Sequence, residues 1–258
     1  MAPDPPAQPA SRPVSLADHA GDRGPDSRAD GRPPGHWTHR LRGRFLVFDG
    51  PDGSGKSTQF RRLVDLVEGH GTRVCEVREP GGTFIGEQIR RLLLDPSVKE
   101  EVDLRCEMLL FMASRAQLLA QKIRPALARG ELVLADRFIS STLAYQGAAG
   151  GLPIADILRV GQVALQATWP DLVVVFDVDE ETAAQRINPL LREREFNADR
   201  DRMEAKGSAF HRRVRRGYLD QAADDPSRYL VLDASREPDD IFADLTAALP
   251  ARLPSGAR

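Results

Sequence analysis

Cysteine is scarce in this chain: Cys75 and Cys106 are the only two among 258 residues. With no C-x-x-C pair and no histidine spacing beside them, they exclude a disulfide framework and a zinc site. They are expected to be reduced, structural thiols of a cytoplasmic protein. A surplus of charge of one sign is also missing. The chain carries 36 Lys and Arg against 38 Asp and Glu, a formal net charge of −2. That balance excludes a protein whose main partner is duplex nucleic acid, which would need a strong basic excess. No apolar run approaches the ~18–20 residues of a membrane-spanning helix, so no membrane partner is expected. What is present, 41% hydrophobic and 29% charged residues, is the balance of a soluble globular domain.

Proline is unevenly spread. Eight of the 19 prolines fall between Met1 and Gly43, where aliphatic residues almost vanish. Such a segment cannot bury enough apolar surface to offset its ordering entropy, so residues 1–43 are expected to be a disordered tail. It lacks the apolar stretch of a secretory signal. Asp4, Asp18, Asp22, Asp26 and Asp30 argue against a transit peptide, which should be poor in acids. At the other end, residues 251–258 are expected to fray.

Residues 44–250 read as one domain. Short apolar runs at 44–49, 72–77, 132–136, 172–178 and 229–233 predict strands. Their aliphatic character is continuous rather than alternating, as in a parallel sheet covered on both faces. Helical patterns fall between them, at 57–69, 84–94, 103–129, 154–167, 180–186, 202–223 and 239–249. Strands alternating with helices predict an α/β fold with a five-stranded parallel sheet and helices on both faces.

Directly after the first strand stands Gly50-Pro51-Asp52-Gly53-Ser54-Gly55-Lys56-Ser57, followed by Thr58. It fits G-x-x-x-x-G-K-[ST], and it has the required strand before it and helix after it. The glycines let backbone N–H groups turn inward, and the helix start presents its positive end to phosphates. Lys56 is placed to reach the β- and γ-phosphates, and Ser57 to offer a hydroxyl to Mg²⁺. The segment predicts an ATP site over residues 50–58. There is no N-K-x-D tetrad, which excludes the usual GTPase. The strand at 132–136 ends in Asp136 and is followed by Arg137, rather than ending in the Asp-Glu of an ATPase motor. A carboxylate and an arginine at the carboxyl end of a parallel strand lie beside the phosphate loop. Together they suit Mg²⁺ and a second phosphate, the requirement of a kinase acting on small phosphorylated acceptors.

Five segments, in order, carry a closer resemblance. They are the phosphate loop at 50–57, Arg78-Glu-Pro-Gly-Gly-Thr83, Leu110-Phe-Met-Ala-Ser-Arg115, Asp136-Arg-Phe-Ile-Ser-Ser-Thr-Leu-Ala-Tyr-Gln-Gly147, and Asp201-Arg-Met-Glu204 with Phe210 and Val214-Arg-Arg-Gly-Tyr218. On these the chain resembles the thymidylate kinase family, P-loop nucleoside monophosphate kinases with a short LID. The resemblance implies transfer of the ATP γ-phosphate to dTMP, giving dTDP and ADP, with Mg²⁺. It also implies a homodimer formed through helices flanking the sheet.

The resemblance further implies residue roles. Asp52 would bind the acceptor sugar and organise the phosphates, and Arg78 would hold the acceptor monophosphate, where a fixed fork of donors fits. Phe111 and Arg115, four apart on one helix face, would stack on the pyrimidine and donate to its O4. That donor favours thymine or uracil over cytosine. Asp136 would hold a Mg²⁺ water with Ser57, and Arg137 would bridge the two phosphates. Ser141 and Thr142 would lie near the base, Tyr145 against the deoxyribose, and Gln146 behind them. The LID is expected over 186–202, with Arg192 or Arg194 joining Lys56, Arg137 and Asp52 as the catalytic set. Asn188-Pro189-Leu190-Leu191 and Glu193 to Asn197 make this LID longer and more acidic than the family's pattern. Rival readings are another nucleoside monophosphate or deoxynucleoside kinase, and a nucleotide-binding module without turnover.

Overall fold

The computed structural model describes residues 36–253 except 96, 98, 99 and 194–206, and at 187–193 it describes the backbone only. The expected tail up to residue 35, most of the LID including Arg194, the segment Asp201–Glu204 and the last five residues lie outside the described residues.

Five strands form one parallel sheet: β1 (Phe45–Asp49), β2 (Val74–Arg78), β3 (Leu132–Asp136), β4 (Leu172–Asp177) and β5 (Tyr229–Asp233), in the order β2-β3-β1-β4-β5. The apolar runs work as expected because successive side chains leave a strand on opposite faces, and here both faces are covered. Phe45, Val47, Val133, Ala135, Val173 and Val175 enter one core. Leu46, Phe48, Leu134, Leu172, Val174 and Phe176 enter the other. The two edge strands are less buried. In β2, Glu76 and Arg78 are exposed, and in β5, Val231 and Asp233 are exposed.

The helices are α1 (Lys56–Gly69), α2 (Phe84–Leu94), α3 (Leu104–Leu118), α4 (Arg124–Ala128), α5 (Ile139–Thr142), α6 (Ile154–Leu165), α7 (Glu180–Glu193), α8 (Ser208–Asp224) and α9 (Pro238–Arg252). The single helix expected at 103–129 is α3 and α4 joined by a π turn at Leu119–Ile123, just before Pro125. Proline has no N–H to continue the regular ladder, and the wider turn accommodates it. The stretch after β3 is also helical: α5 runs into a second π turn, Leu143–Ala149. Ile139 and Leu143, four apart, are buried, but Ser140, Ser141, Thr142, Gln146 and Gly147 interrupt the apolar period. The buried face of this stretch also includes Ala144, Tyr145, Gln146 and Ala149. The helix expected at 180–186 runs on to Glu193, into the stretch expected as the start of the LID.

Structure is also described before Arg44. Trp37–Leu41 forms a 3-10 turn, Leu41 is fully buried against the second core, and Arg40 Nη1 donates to the Pro250 carbonyl of α9 at 3.2 Å. A single buried leucine in a proline-rich stretch is too weak a signal to mark this boundary.

All five strands point their carboxyl ends to one side, and each ends in a charged residue: Asp49, Arg78, Asp136, Asp177 and Asp233. The apolar face beneath them holds these charges in place. Phe176 is fully buried and packs edge-on against Phe48, ring centroids 4.9 Å apart. Phe176→Ala is expected to lower the unfolding free energy by about 3–5 kcal/mol, read from urea titration as a lower midpoint at unchanged slope. A loss below about 1 kcal/mol would mean that the layer collapses into the void.

Candidate active site

The site begins where β1 ends. Gly50 has φ 133°, and a Cβ there would lie 2.5 Å from the Phe176 carbonyl oxygen. Gly53 has φ 77°, and a Cβ there would lie 2.6 Å from the Ala183 carbonyl oxygen. Only glycine allows the loop to pass so close to β4 and α7. The loop leads to α1, whose first turn has neither a side-chain cap nor an acidic residue. Its N–H groups are therefore unshared with side chains, as an anion cradle requires. Ser57 and Thr58 are exposed there, while Ser54 is buried. Lys56 is buried, and its Nζ donates to the carbonyls of Gly50 and Pro51, each at 3.1 Å. Burial, and then the charge of Arg137, push its ammonium below the usual lysine range.

Behind the loop, Asp49 is fully buried and collects donors from several elements. It accepts from Tyr218 Oη of α8 at 2.6 Å, from Ser140 and Ser141 of α5 at 2.7 and 2.8 Å, and from the Gly50 N–H at 3.0 Å. Burial first, and the Asp49 carboxylate next, push the Tyr218 hydroxyl above its ordinary range, which keeps it a donor. Arg137 follows β3 in the left-handed region, φ 66°. Its Nη1 reaches Asp49 at 3.4 Å, Ser141 and Tyr218 at 3.2 Å, and the Gly50 carbonyl at 3.3 Å. Its Nη2 pairs with Asp52. Burial opposes ionisation of Asp52, but Arg137 and then Lys56 outweigh it and hold the carboxyl below the usual range.

One cavity of about 250 Å³ opens beside this network. Asp52, Arg78, Phe111, Arg115 and Asp136 line it, as do Arg137, Ser141, Tyr145 and Gln146. The structure thus brings together nine of the residues singled out in the sequence. Arg78 is exposed at its rim, 3.4 Å from Glu87. Two placements differ from expectation. Thr142 does not line the cavity; it is buried behind Arg115 and accepts from its Nη2 at 3.2 Å. The Ser141 hydroxyl, though it lines the cavity, is engaged by Asp49, Arg137 and Tyr218. Arg186, at the start of the expected LID, donates to the Ala234 carbonyl at 2.6 Å.

Three buried groups were not assigned a role from the sequence. They are Asp49, Glu79 and Glu107. Glu107 stands four residues before Phe111 and eight before Arg115, so its place on the helix face that carries both was a legible signal. Glu79 follows β2 and lines the cavity floor, and the Glu79-Pro80 bond is cis. Its Oε2 accepts from Arg115 Nε at 2.7 Å and lies 2.6 Å from Nη2, while its Oε1 is buried without a hydrogen-bond partner.

The donor set near the loop fits a hard divalent cation. Asp136 Oδ1 is buried and has no hydrogen-bond partner. Ser57 adds a hydroxyl at the start of α1. Mg²⁺ is commonly held by one or two carboxylates together with phosphate oxygens and water, and does not need a cage of protein ligands. Among the described residues no group of three or more His, Cys, Asp or Glu forms such a cage.

Comparison with known proteins gives a consistent result. A family model described as thymidylate kinase matches residues 48–245. The chain is 42% identical over 209 residues to a thymidylate kinase of Geobacillus sp. strain WCH70, covering 81% of this chain and 97% of that protein. It is 46% identical over 196 residues to the thymidylate kinase of Pelotomaculum thermopropionicum, covering 76% and 88%. Among solved structures, the crystal structure of thymidylate kinase from Ehrlichia chaffeensis superposes with a TM-score of 0.62 at 30% identity, covering 80% of this chain and 98% of that one.

Glu79 sets a pH dependence. Burial pushes its carboxyl up from 4.5 to about 7, against the pull of Arg115. Between those two values the folded chain holds a proton that the unfolded chain has released, so rising pH lowers stability in that window. Relative to Glu79→Gln, the parent protein is expected to lose stability as pH rises from about 4.5 to about 7 and to run parallel outside it, in urea titrations across the range. A difference that stays flat through the window would mean that Arg115 keeps Glu79 ionised throughout.

Proposed function

The chain belongs to the thymidylate kinase family, and from that premise we propose how its own residues carry out the reaction. The enzyme is an ATP-dependent phosphotransferase that converts dTMP to dTDP. The observation that carries the site reading is the single cavity in which the phosphate loop's Asp52, the strand-end pair Asp136 and Arg137, and the pair Phe111 and Arg115 all meet.

In this reading dTMP enters with its base against Phe111 and its phosphate toward Arg78 and Arg137. Tyr145 packs at the sugar beside Asp52, to which its hydroxyl donates at 3.4 Å. ATP phosphates lie along residues 50–58. A dTMP phosphate oxygen attacks the γ-phosphorus in line. The new bond joins that oxygen to phosphorus, and the bond to the β-phosphate oxygen breaks. The acceptor is already ionised, so no strong base is needed. Lys56 and Arg137 stabilise charge on the transferring group, and positioning supplies the rest. Lys56 exchanges its two loop carbonyls for phosphate oxygens. Ser57 and Asp136 would hold Mg²⁺, which neutralises phosphate charge when bound. Arg192 or Arg194 supplies a further positive charge.

We also propose a homodimer. Phe84, Ile85 and Leu92 of α2, Leu109 of α3 and Val163 of α6 are exposed, with Phe84 at 81% and Val163 at 78%. The three helices pack against one another, α2 on α3 and α3 on α6. A second copy would cover these groups. A cytoplasmic location fits the two free cysteines and ATP supply, and no helix among the described residues is long and apolar enough to cross a membrane.

Two measurements test these readings. In a coupled ADP-release assay with dTMP, dUMP, UMP, dCMP, dAMP and dGMP, turnover with dTMP is expected to exceed the others, and a better acceptor would replace the dTMP reading. In that assay Lys56→Ala is expected to lose roughly 10²-fold or more in kcat, and the larger loss between Arg192→Ala and Arg194→Ala marks the catalytic LID arginine. Sedimentation is expected to show a dimer that Val163→Glu weakens, whereas a parent monomer would remove the dimer.

A further inference from the structure

Glu107 is a fully enclosed glutamate that the reaction does not use. It lies on α3, only 4% exposed, on the helix face that also carries Phe111 and Arg115. Gln146 is equally buried and lines the cavity. The Gln146 Nε2 donates to Glu107 Oε1 at 2.8 Å. A glutamine amide can point either end at a partner, but a carboxylate only accepts. Glu107 therefore takes the NH₂ end and leaves the carbonyl Oε1 as the amide atom available to the cavity.

Arg115 is fixed in the same way but with opposite polarity. Glu79 takes its Nε and Nη2, Thr142 shares Nη2, and Met112 Sδ lies 3.1 Å from Nη1. A guanidinium has five N–H donors. These contacts leave one Nη1 hydrogen. Arg115 thus brings one uncommitted donor to the cavity, and Gln146 brings one uncommitted amide acceptor. Thymine carries the complement on adjacent atoms, an acceptor at O4 and a donor at N3–H. Cytosine carries the reverse on the same two atoms.

We propose that Glu107 is a positioning residue that sets the base specificity of this kinase by locking the Gln146 amide with its carbonyl toward the pyrimidine N3–H. The inference rests on the dTMP reading of the cavity. Its energetic basis is that a buried polar group left unpaired, or facing its own kind, rejects a ligand far more strongly than a missing methyl does. Releasing the amide removes that rejection without removing the cavity.

The test is Glu107→Gln. The replacement has the same shape, but it both donates and accepts, so Gln146 is free to turn. The ratio of kcat/KM for dTMP to that for dCMP is expected to fall by about tenfold or more, while ATP affinity stays that of the parent. A role in packing alone would lower both acceptors together and leave the ratio unchanged. The double variant Glu107→Gln, Gln146→Glu restores an acceptor-only group facing the base, and it is expected to recover the thymine preference. An unchanged ratio in Glu107→Gln, or no recovery in the double variant, overturns the proposal and leaves the dTMP reading standing. A parent enzyme with no preference for dTMP over dCMP removes both.

Discussion

The buried carboxylate of Asp49 is the constraint on which the rest of the site depends. It is a charge with no solvent exposure at the end of the central strand, and such a charge is tolerated only when its hydrogen bonds are complete. Its donors come from α5, α8, the loop backbone and Arg137. Meeting its demand therefore docks α8 onto the sheet, fixes the start of the helix after β3, and aims the Arg137 guanidinium at Asp52. An apolar residue at this position would leave two serines, a tyrosine and an arginine without a common partner.

The charges around the cavity nearly cancel among themselves. Asp52, Glu79 and Asp136 line it with Arg78, Arg90, Arg115 and Arg137, and Asp49 and Lys56 stand beside it. Two phosphorylated substrates add only negative charge to that balance. Further positive charge is offered by the start of α1 and, on the proposed reading, by a divalent cation beside the unpartnered Asp136 oxygen and by Arg192 or Arg194.

Much of this was legible in the order of residues. The strands declared themselves because a parallel strand covered on both faces must be apolar at every position, and 45–48, 132–135 and 172–176 are. The phosphate loop was legible because its glycines answer to backbone geometry that no other residue meets at Gly50 and Gly53. What was hidden depends on convergence in space. Asp49 reads as the polar end of a strand until Tyr218, 169 positions away, is seen to reach it. Thr142 belongs to the right segment but faces Arg115 rather than the cavity, because a π turn follows directly and alters which side of the helix faces inward. Glu79 lies within a matching segment and Glu107 three residues before another, yet their work is done through partners 36 and 39 positions along the chain.

The depth of the Glu79–Arg115 pair has a consequence for ionic strength. Its two side chains are 3% and 1% exposed, whereas those of Asp244 and Arg236 on the surface are 49% and 45% exposed. Dissolved ions screen exposed charges over about 8 Å at physiological salt, but they do not enter a closed cavity floor. Added salt will therefore weaken the surface pairs and the first approach of phosphates. It will leave the Glu79–Arg115 pair almost untouched. On the proposed reading, discrimination between bases and capture of phosphate then lie in two environments that respond differently to the same solution, so that a change in ion content shifts how fast substrates arrive rather than which base is accepted.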